Sequence, residues 1–167
     1  MSAPITIGLS LALAVFPAAL PLSAQRARVG QPAPEFSLES LAGTPVRLSD
    51  FRGHPVVLTF WATWCPPCQR ELPALHEAYQ AGQEAGLRIL AVNDDERAPT
   101  IRAFVDRMGL AFPVLLDPHS RVNARYGVIQ FPTTVFVDTA GIVRVVHGGA
   151  ISAERLATDL QTILPAR

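Results

Sequence analysis

Lysine is missing from this chain altogether: all fourteen basic side chains among its 167 residues are arginine, against fourteen aspartates and glutamates. The formal net charge is therefore zero. No basic surplus is available to track a nucleic-acid backbone or an anionic membrane, and the run "RAR" at 26–28 is too short to change that. Cysteine is nearly as scarce. Only Cys65 and Cys68 are present, so no framework of stapling disulfides exists. The fold must rest on its apolar core, and 167 residues at 49% hydrophobic are enough to fill one as a single domain. Internal repeats and low-complexity segments are absent as well.

Charge is also lacking at the start of the chain. Residues 1–24, "MSAPITIGLSLALAVFPAALPLSA", carry no ionisable side chain, and apolar content is dense from Ile5 to Leu22. The segment reads as a secretory signal peptide cut after Ala24, although no Lys or Arg precedes the run and Leu22 is large for its place before the cut. Left uncut, it would be an N-terminal membrane anchor, since about 18 apolar residues just span a bilayer. Pro17 and Pro21 weaken a long helix and favour cleavage. Both readings place the domain of residues 25–167 outside the cytoplasm, in the periplasm or an equivalent compartment. A lipid anchor is not expected, because no cysteine lies at the junction.

What is present alternates in period. "FSLESLAGTPVRLS" reads as an N-terminal β-hairpin turning at Gly43, and "PVVLTFWA" (55–62) as a strand covered on both faces. From Pro66 to about Ala85 the period becomes helical, with Cys68, Leu72, Leu75 and Tyr79 on one stripe and Pro73 inside. That stripe predicts a buried Cys68 and an accessible Cys65 just ahead of the first turn. A strand at 87–93, a helix marked by Ile101, Phe104, Val105 and Met108, the strand "FPVLLD" and a short helix over "SRVNARY" follow. "TTVFVD" and "IVRVVHG" form a hairpin around Gly141. Ser152 caps a last helix with Leu156, Leu160, Ile163 and Leu164 on its face. The fold class expected is α/β: a mixed central sheet with helices on both faces, a three-layer α/β/α sandwich.

"FWATWCPPCQREL" (60–72) puts the two cysteines at a strand-to-helix junction. A close pair can be a redox centre, half of a metal site or a structural clip. A closed zinc site needs four ligands, and His54, His76, His119 and His147 sit at no recurring ligand spacing. Disulfide exchange has the better physical logic. A sulfur at a helix N-terminus meets free backbone N–H groups and the positive end of the dipole, which favours its thiolate. A second sulfur one turn on can attack the mixed disulfide formed by the first. Cys65 is then the nucleophile and Cys68 the resolving thiol, a redox-active disulfide needing no other cofactor and no metal. If Cys65 is the N-cap, Pro66 and Pro67 occupy the first two helical positions without an N–H between them. Only the Cys68 N–H is left to cap the sulfur, so thiolate stabilisation should be moderate and the pair relatively reducing.

With the helical Pro73 and the later "FPTTVFVD", the stretch "FWATWCPPC" resembles the thioredoxin superfamily. More narrowly, together with the entry "VGQPAPEFSLESLAGTPVRLSDFRG", it is similar to the extracytoplasmic TlpA/ResA-like thiol–disulfide oxidoreductases. The resemblance covers about residues 29–164 and implies a thioredoxin-like fold with an inserted strand and helix, matched to 87–108. It implies that Pro132 is a cis-proline beside the cysteines and that the Phe131 backbone pairs with a substrate peptide. Trp64, with Pro66 and Pro67, would complete the contact surface, whereas Trp61 is read as core. Thr59 stands where thioredoxin carries a buried aspartate, and the resemblance moves proton handling to Glu96, next to Asp94 and Asp95. The absence of lysine excludes a Lys–carboxylate pair there. The implied activity is reduction of disulfides in exported proteins, apocytochrome c among them, with electrons supplied by a membrane thiol donor.

Two rivals differ in class. A thiol peroxidase would need Pro-x-x-x-Thr-x-x-Cys, but Leu58 and Ala62 stand at those places before Cys65, and Trp61 and Cys65 before Cys68. A copper-binding or metallochaperone module on the same fold would space its cysteines one residue further apart and add a ligating histidine.

Overall fold

The computed structural model describes residues 26–164. The expected signal or anchor segment, 1–24, lies outside the described residues. Among the described residues no helix is long and apolar enough to cross a membrane.

The entry hairpin forms as β1 (Ser37–Ser40) and β2 (Pro45–Arg47), with Gly43 at φ +82° supplying the left-handed step of the turn. β3 (Val56–Trp61) is buried at all six positions, as expected of an apolar run interrupted only by Thr59. It leads into α1 (Pro66–Gly82), then β4 (Arg88–Asp94), α2 (Ala98–Met108), β5 (Val114–Asp117) and α3 (Arg121–Tyr126). The chain closes with β6 (Thr133–Val137), β7 (Val143–Gly148) and α4 (Ala153–Gln161). The strand and helix expected over 87–108 are β4 and α2. α1 stops at Gly82 rather than near residue 85. A Cβ there would come within 2.8 Å of the Leu87 Cβ, and Gly86 at φ +78° turns the chain straight back into β4.

The seven strands order as β2-β1-β5-β4-β3-β6-β7. β3, β4 and β5 run parallel, while the hairpins β1–β2 and β6–β7 attach antiparallel at either side. Alternation along the strands divides the core in two. Val57 and Trp61 of β3, Ile89 and Ala91 of β4 and Phe136 of β6 face α1, α2 and α4. Leu58, Phe60, Leu90, Val92, Val135 and Val137 face α3 and the entry segment. The result is the expected three-layer sandwich. β3, β4 and β5 all end at the same edge of the sheet, the edge where ligand and catalytic groups gather in parallel α/β folds. The cysteine loop leaves β3 at that edge.

Candidate functional site

Trp61 ends β3 fully buried against Phe104, and four residues later the chain enters α1. Cys65 is the N-cap of α1 in extended conformation, with Pro66 first in the helix. Its Sγ accepts the N–H of Cys68 at 3.2 Å, while Pro66 and Pro67 offer no donor. The two sulfurs are joined as a disulfide, with Cα atoms 5.3 Å apart. Burial differs from the expectation. Cys65 is only 3% exposed, scarcely more than Cys68 at 1%, because both sulfurs belong to the same apolar cluster as Trp61, Ala62 and Leu72. A stripe analysis locates Cys68 correctly but says nothing of a residue ahead of the helix, whose burial is set by the loops packed over it.

The rim of the pair is apolar and open. Trp64 is 64% exposed and meets the Phe131 ring edge-on at 5.9 Å, and the Phe131–Pro132 peptide bond is cis. Ile129, two residues earlier in the same loop, is 94% exposed. It carried no sequence signal, since Val128, Ile129 and Phe131 stand in a short loop where no period tells which side chain is covered. The structure thus brings Trp64, Cys65, Pro66, Cys68 and Phe131 into one neighbourhood.

Glu96 also reaches that neighbourhood, through the turn before the cysteines. Its carboxylate accepts the Thr63 N–H at 2.6 Å, the Thr63 hydroxyl at 2.5 Å and the Asn93 side-chain amide at 2.8 Å. Asp95 is spent elsewhere, accepting the His119 N–H at 2.7 Å.

The buried carboxylate on the cysteine helix itself is one that sequence reasoning missed. Glu71 lies three residues after Cys68, hence on the same helical face about one turn on, and is 2% exposed. One oxygen accepts the hydroxyls of Thr59 (3.1 Å) and Thr134 (3.3 Å), and the other the Ile151 N–H (2.9 Å). Burial pushes its carboxyl above the ordinary 4.5, the three donors opposing but not cancelling that effect. The available signal was a charge standing on the buried stripe of α1, beside Leu72. Among the described residues no group of three or more His, Cys, Asp or Glu side chains could hold a metal ion.

The AhpC/TSA family model matches residues 29–146. A thiol-disulfide oxidoreductase ResA from Geobacillus thermodenitrificans is 42% identical over 137 residues, 82% of this chain and 79% of its own. The chain belongs to the AhpC/TSA family, among the ResA-like thiol-disulfide oxidoreductases. Solved structures agree with that assignment. A Chlorobium tepidum chain named as a thiol:disulfide interchange protein DsbE superposes with a TM-score of 0.78 at 31% identity, covering 83% of this chain and 99% of its own. A secreted Mycobacterium tuberculosis disulfide oxidoreductase homologous to E. coli DsbE gives 0.70 at 27%, covering 76% and 95%. The oxidoreductase is therefore an enzyme on a thioredoxin-like fold whose two cysteines stand at the head of a helix.

Proposed function

We propose that this oxidoreductase is an exported reductase of disulfides in partner proteins, working through Cys65 and Cys68. The observation that carries this reading is Cys65 seated as the N-cap of α1, with Cys68 one turn behind it and Glu71 one turn further. In the reduced enzyme the Cys65 thiolate attacks one sulfur of a partner disulfide. A mixed disulfide forms, and the partner's other sulfur leaves as a thiolate that takes a proton from solvent. Glu71, as carboxylate, removes the proton of Cys68, whose thiolate then attacks Cys65 Sγ. The Cys65–Cys68 disulfide closes and the partner's second sulfur departs as a thiolate that takes up the proton Glu71 releases, so two electrons and two protons have passed to the partner. A membrane thiol donor would return the enzyme to its reduced form.

Substrate docks in this scheme on Trp64, Pro66, Pro67 and Phe131, with the Phe131 backbone pairing an extended segment beside Pro132. The reducing direction is supported by the thin capping of Cys65, a single N–H, since a less stabilised thiolate makes a weaker oxidant. Residues 1–24 supply the export signal or anchor, and the secreted M. tuberculosis relative supports an extracytoplasmic site. Apocytochrome c, with its Cys-x-x-Cys-His haem site, is one partner class of this kind, alongside other exported proteins whose thiols must be kept reduced.

A Cys68→Ser variant tests the reading by arresting the reaction at the mixed disulfide. Expressed at the native level, it should hold exported proteins covalently on Cys65, with proteins joined through one cysteine of a Cys-x-x-Cys-His segment among them by mass spectrometry. Capture of none would overturn it. So would a reduction potential near −120 mV rather than near −270 mV, the two ends of the dithiol range being about those values.

A further inference from the structure

Every polar backbone and side-chain atom of Thr63 is engaged. Its N–H and hydroxyl donate to the two oxygens of Glu96, and its carbonyl accepts the Gln69 side chain of α1 at 2.7 Å. Thr63 precedes Trp64 and Cys65, so these bonds fix the turn that delivers the docking ring and the attacking sulfur. Glu96 is itself held from behind. Asn93, the last buried residue of β4, lies in register beside Trp61 and donates to Glu96 Oε2. Asn93 is fully buried, and its Oδ1 has no hydrogen-bond partner among the described residues, so its one side-chain hydrogen bond is the one to Glu96. The loop after β4 is pinned on its other side by the His119 N–H on Asp95, a residue in the left-handed region at φ +50°.

We propose that Asn93, Glu96 and Thr63 form a positioning clamp that sets the Trp64–Cys65 turn for in-line attack on the partner disulfide. Glu96 is a positioning residue in this assignment and moves no proton. Three of its acceptor directions are taken by donors from Thr63, in the turn before Cys65, and from Asn93, at the end of β4. The carboxylate that does share a helical face with Cys68 is Glu71. Geometry held this way is worth a large factor, since displacement of a reacting group by about 1 Å can slow a reaction about a hundredfold. The inference rests on Cys65 being the attacking sulfur.

The test compares Thr63→Val, which keeps the shape and charge but removes the hydroxyl, with Glu96→Gln, the double variant and Thr63→Ser. Steady-state reduction of insulin gives kcat/KM, iodoacetamide reactivity across pH gives the titration of Cys65, and thermal unfolding checks the fold. Thr63→Val and Glu96→Gln should each lower kcat/KM about tenfold, and the double variant no further, because both break one clamp. Thr63→Ser should recover most of the rate, and Thr63→Val should leave the pH midpoint of Cys65 alkylation in place. Wild-type turnover in Thr63→Val, or losses that multiply in the double variant, would overturn the clamp alone. A Glu96→Gln variant whose only change is a shifted pH profile would return proton handling to Glu96 and overturn it too. No turnover by the wild type would overturn the reading of Cys65, and the clamp with it.

Discussion

Replacing Glu71 by glutamine separates its two jobs, buried hydrogen-bond acceptor and proton acceptor. The amide can orient its oxygen toward the Ile151 N–H and its NH2 toward the Thr59 and Thr134 hydroxyls, which rotate to accept. Glu71→Gln should therefore fold, at a cost of about 1 kcal/mol. Resolution of the mixed disulfide should suffer much more. Without a base, Cys68 attacks only as the fraction already ionised, which for an ordinary thiol of pKa about 8.5 is about 1% at pH 6.5 and about half at pH 8.5. At pH 6.5 the variant should release its partner about 100-fold more slowly than wild type, at the lower end of the usual gain from a positioned base, and at pH 8.5 only about twofold more slowly. Single-turnover mixing with a disulfide peptide, acid quenching and mass spectrometry would count the mixed disulfide directly. Stability supplies an independent arm. Because burial raises the Glu71 carboxyl above 4.5 in the fold, the folded state binds more protons than the unfolded chain in the window above 4.5. Its contribution is complete below pH 4.5 and is lost as pH rises to the folded value, a decline that Glu71→Gln lacks. Wild-type resolution by the variant at pH 6.5, or a deficit independent of pH, would refute the assignment of Glu71.

Three further outcomes are expected. Pro67→Ala restores an N–H at the second helical position, so the Cys65 thiolate gains a donor and the pH midpoint of its alkylation should fall by about half a unit to one unit; an unmoved midpoint would refute the capping account. Trp64→Ala removes an exposed ring that contacts Phe131, so stability should change by less than about 0.5 kcal/mol while kcat/KM for a protein disulfide falls severalfold and that for a small disulfide does not. Equal losses on both substrates would argue against docking. Burial pushes the Asp138 carboxyl up, but the Ile142 N–H, the Arg144 guanidinium and the Ala140 N–H outweigh it and hold the group below 3.8. Its stabilisation is present above pH 3.8 and lost as pH falls through the folded value, so Asp138→Asn should flatten the acid limb of the stability profile in urea titrations.

The layers of the fold are legible in the sequence wherever a local period governs. β3 is a nearly continuous apolar run, α1 shows a four-three-four stripe, Ser152 accepts the Arg155 N–H as an N-cap, and Gly43 turns a hairpin. Helix ends are less legible, since the chain turns from α1 into β4 at Gly86 and packs Leu87 on Gly82, which no period encodes. The site divides the same way. The cysteine pair and the capping by Cys68 alone follow from spacing and from the missing proline N–H groups. The burial of Cys65, the exposure of Ile129 and the partners of Glu96 depend on loops that meet only when the sheet is assembled.

Glu71 shows why that division falls where it does. Thr59 invites the inference that no carboxylate serves the pair from β3, and for the strand that is true. The place is filled from the opposite direction: the helix supplies the carboxylate, and Thr59 and Thr134 on adjacent strands β3 and β6 supply hydroxyls that hold it. The third donor, Ile151, lies eighty residues away in sequence, just ahead of α4. A buried carboxylate is costly unless its oxygens are met, and one met by neutral donors only is kept titratable rather than locked as an ion. Arginine in place of either threonine would pair the charge and depress the carboxyl, ending its use as an acceptor that can release its proton again. The neutrality of the donors, more than the presence of the acid, is what suits this position to a proton that must arrive and leave once per turnover.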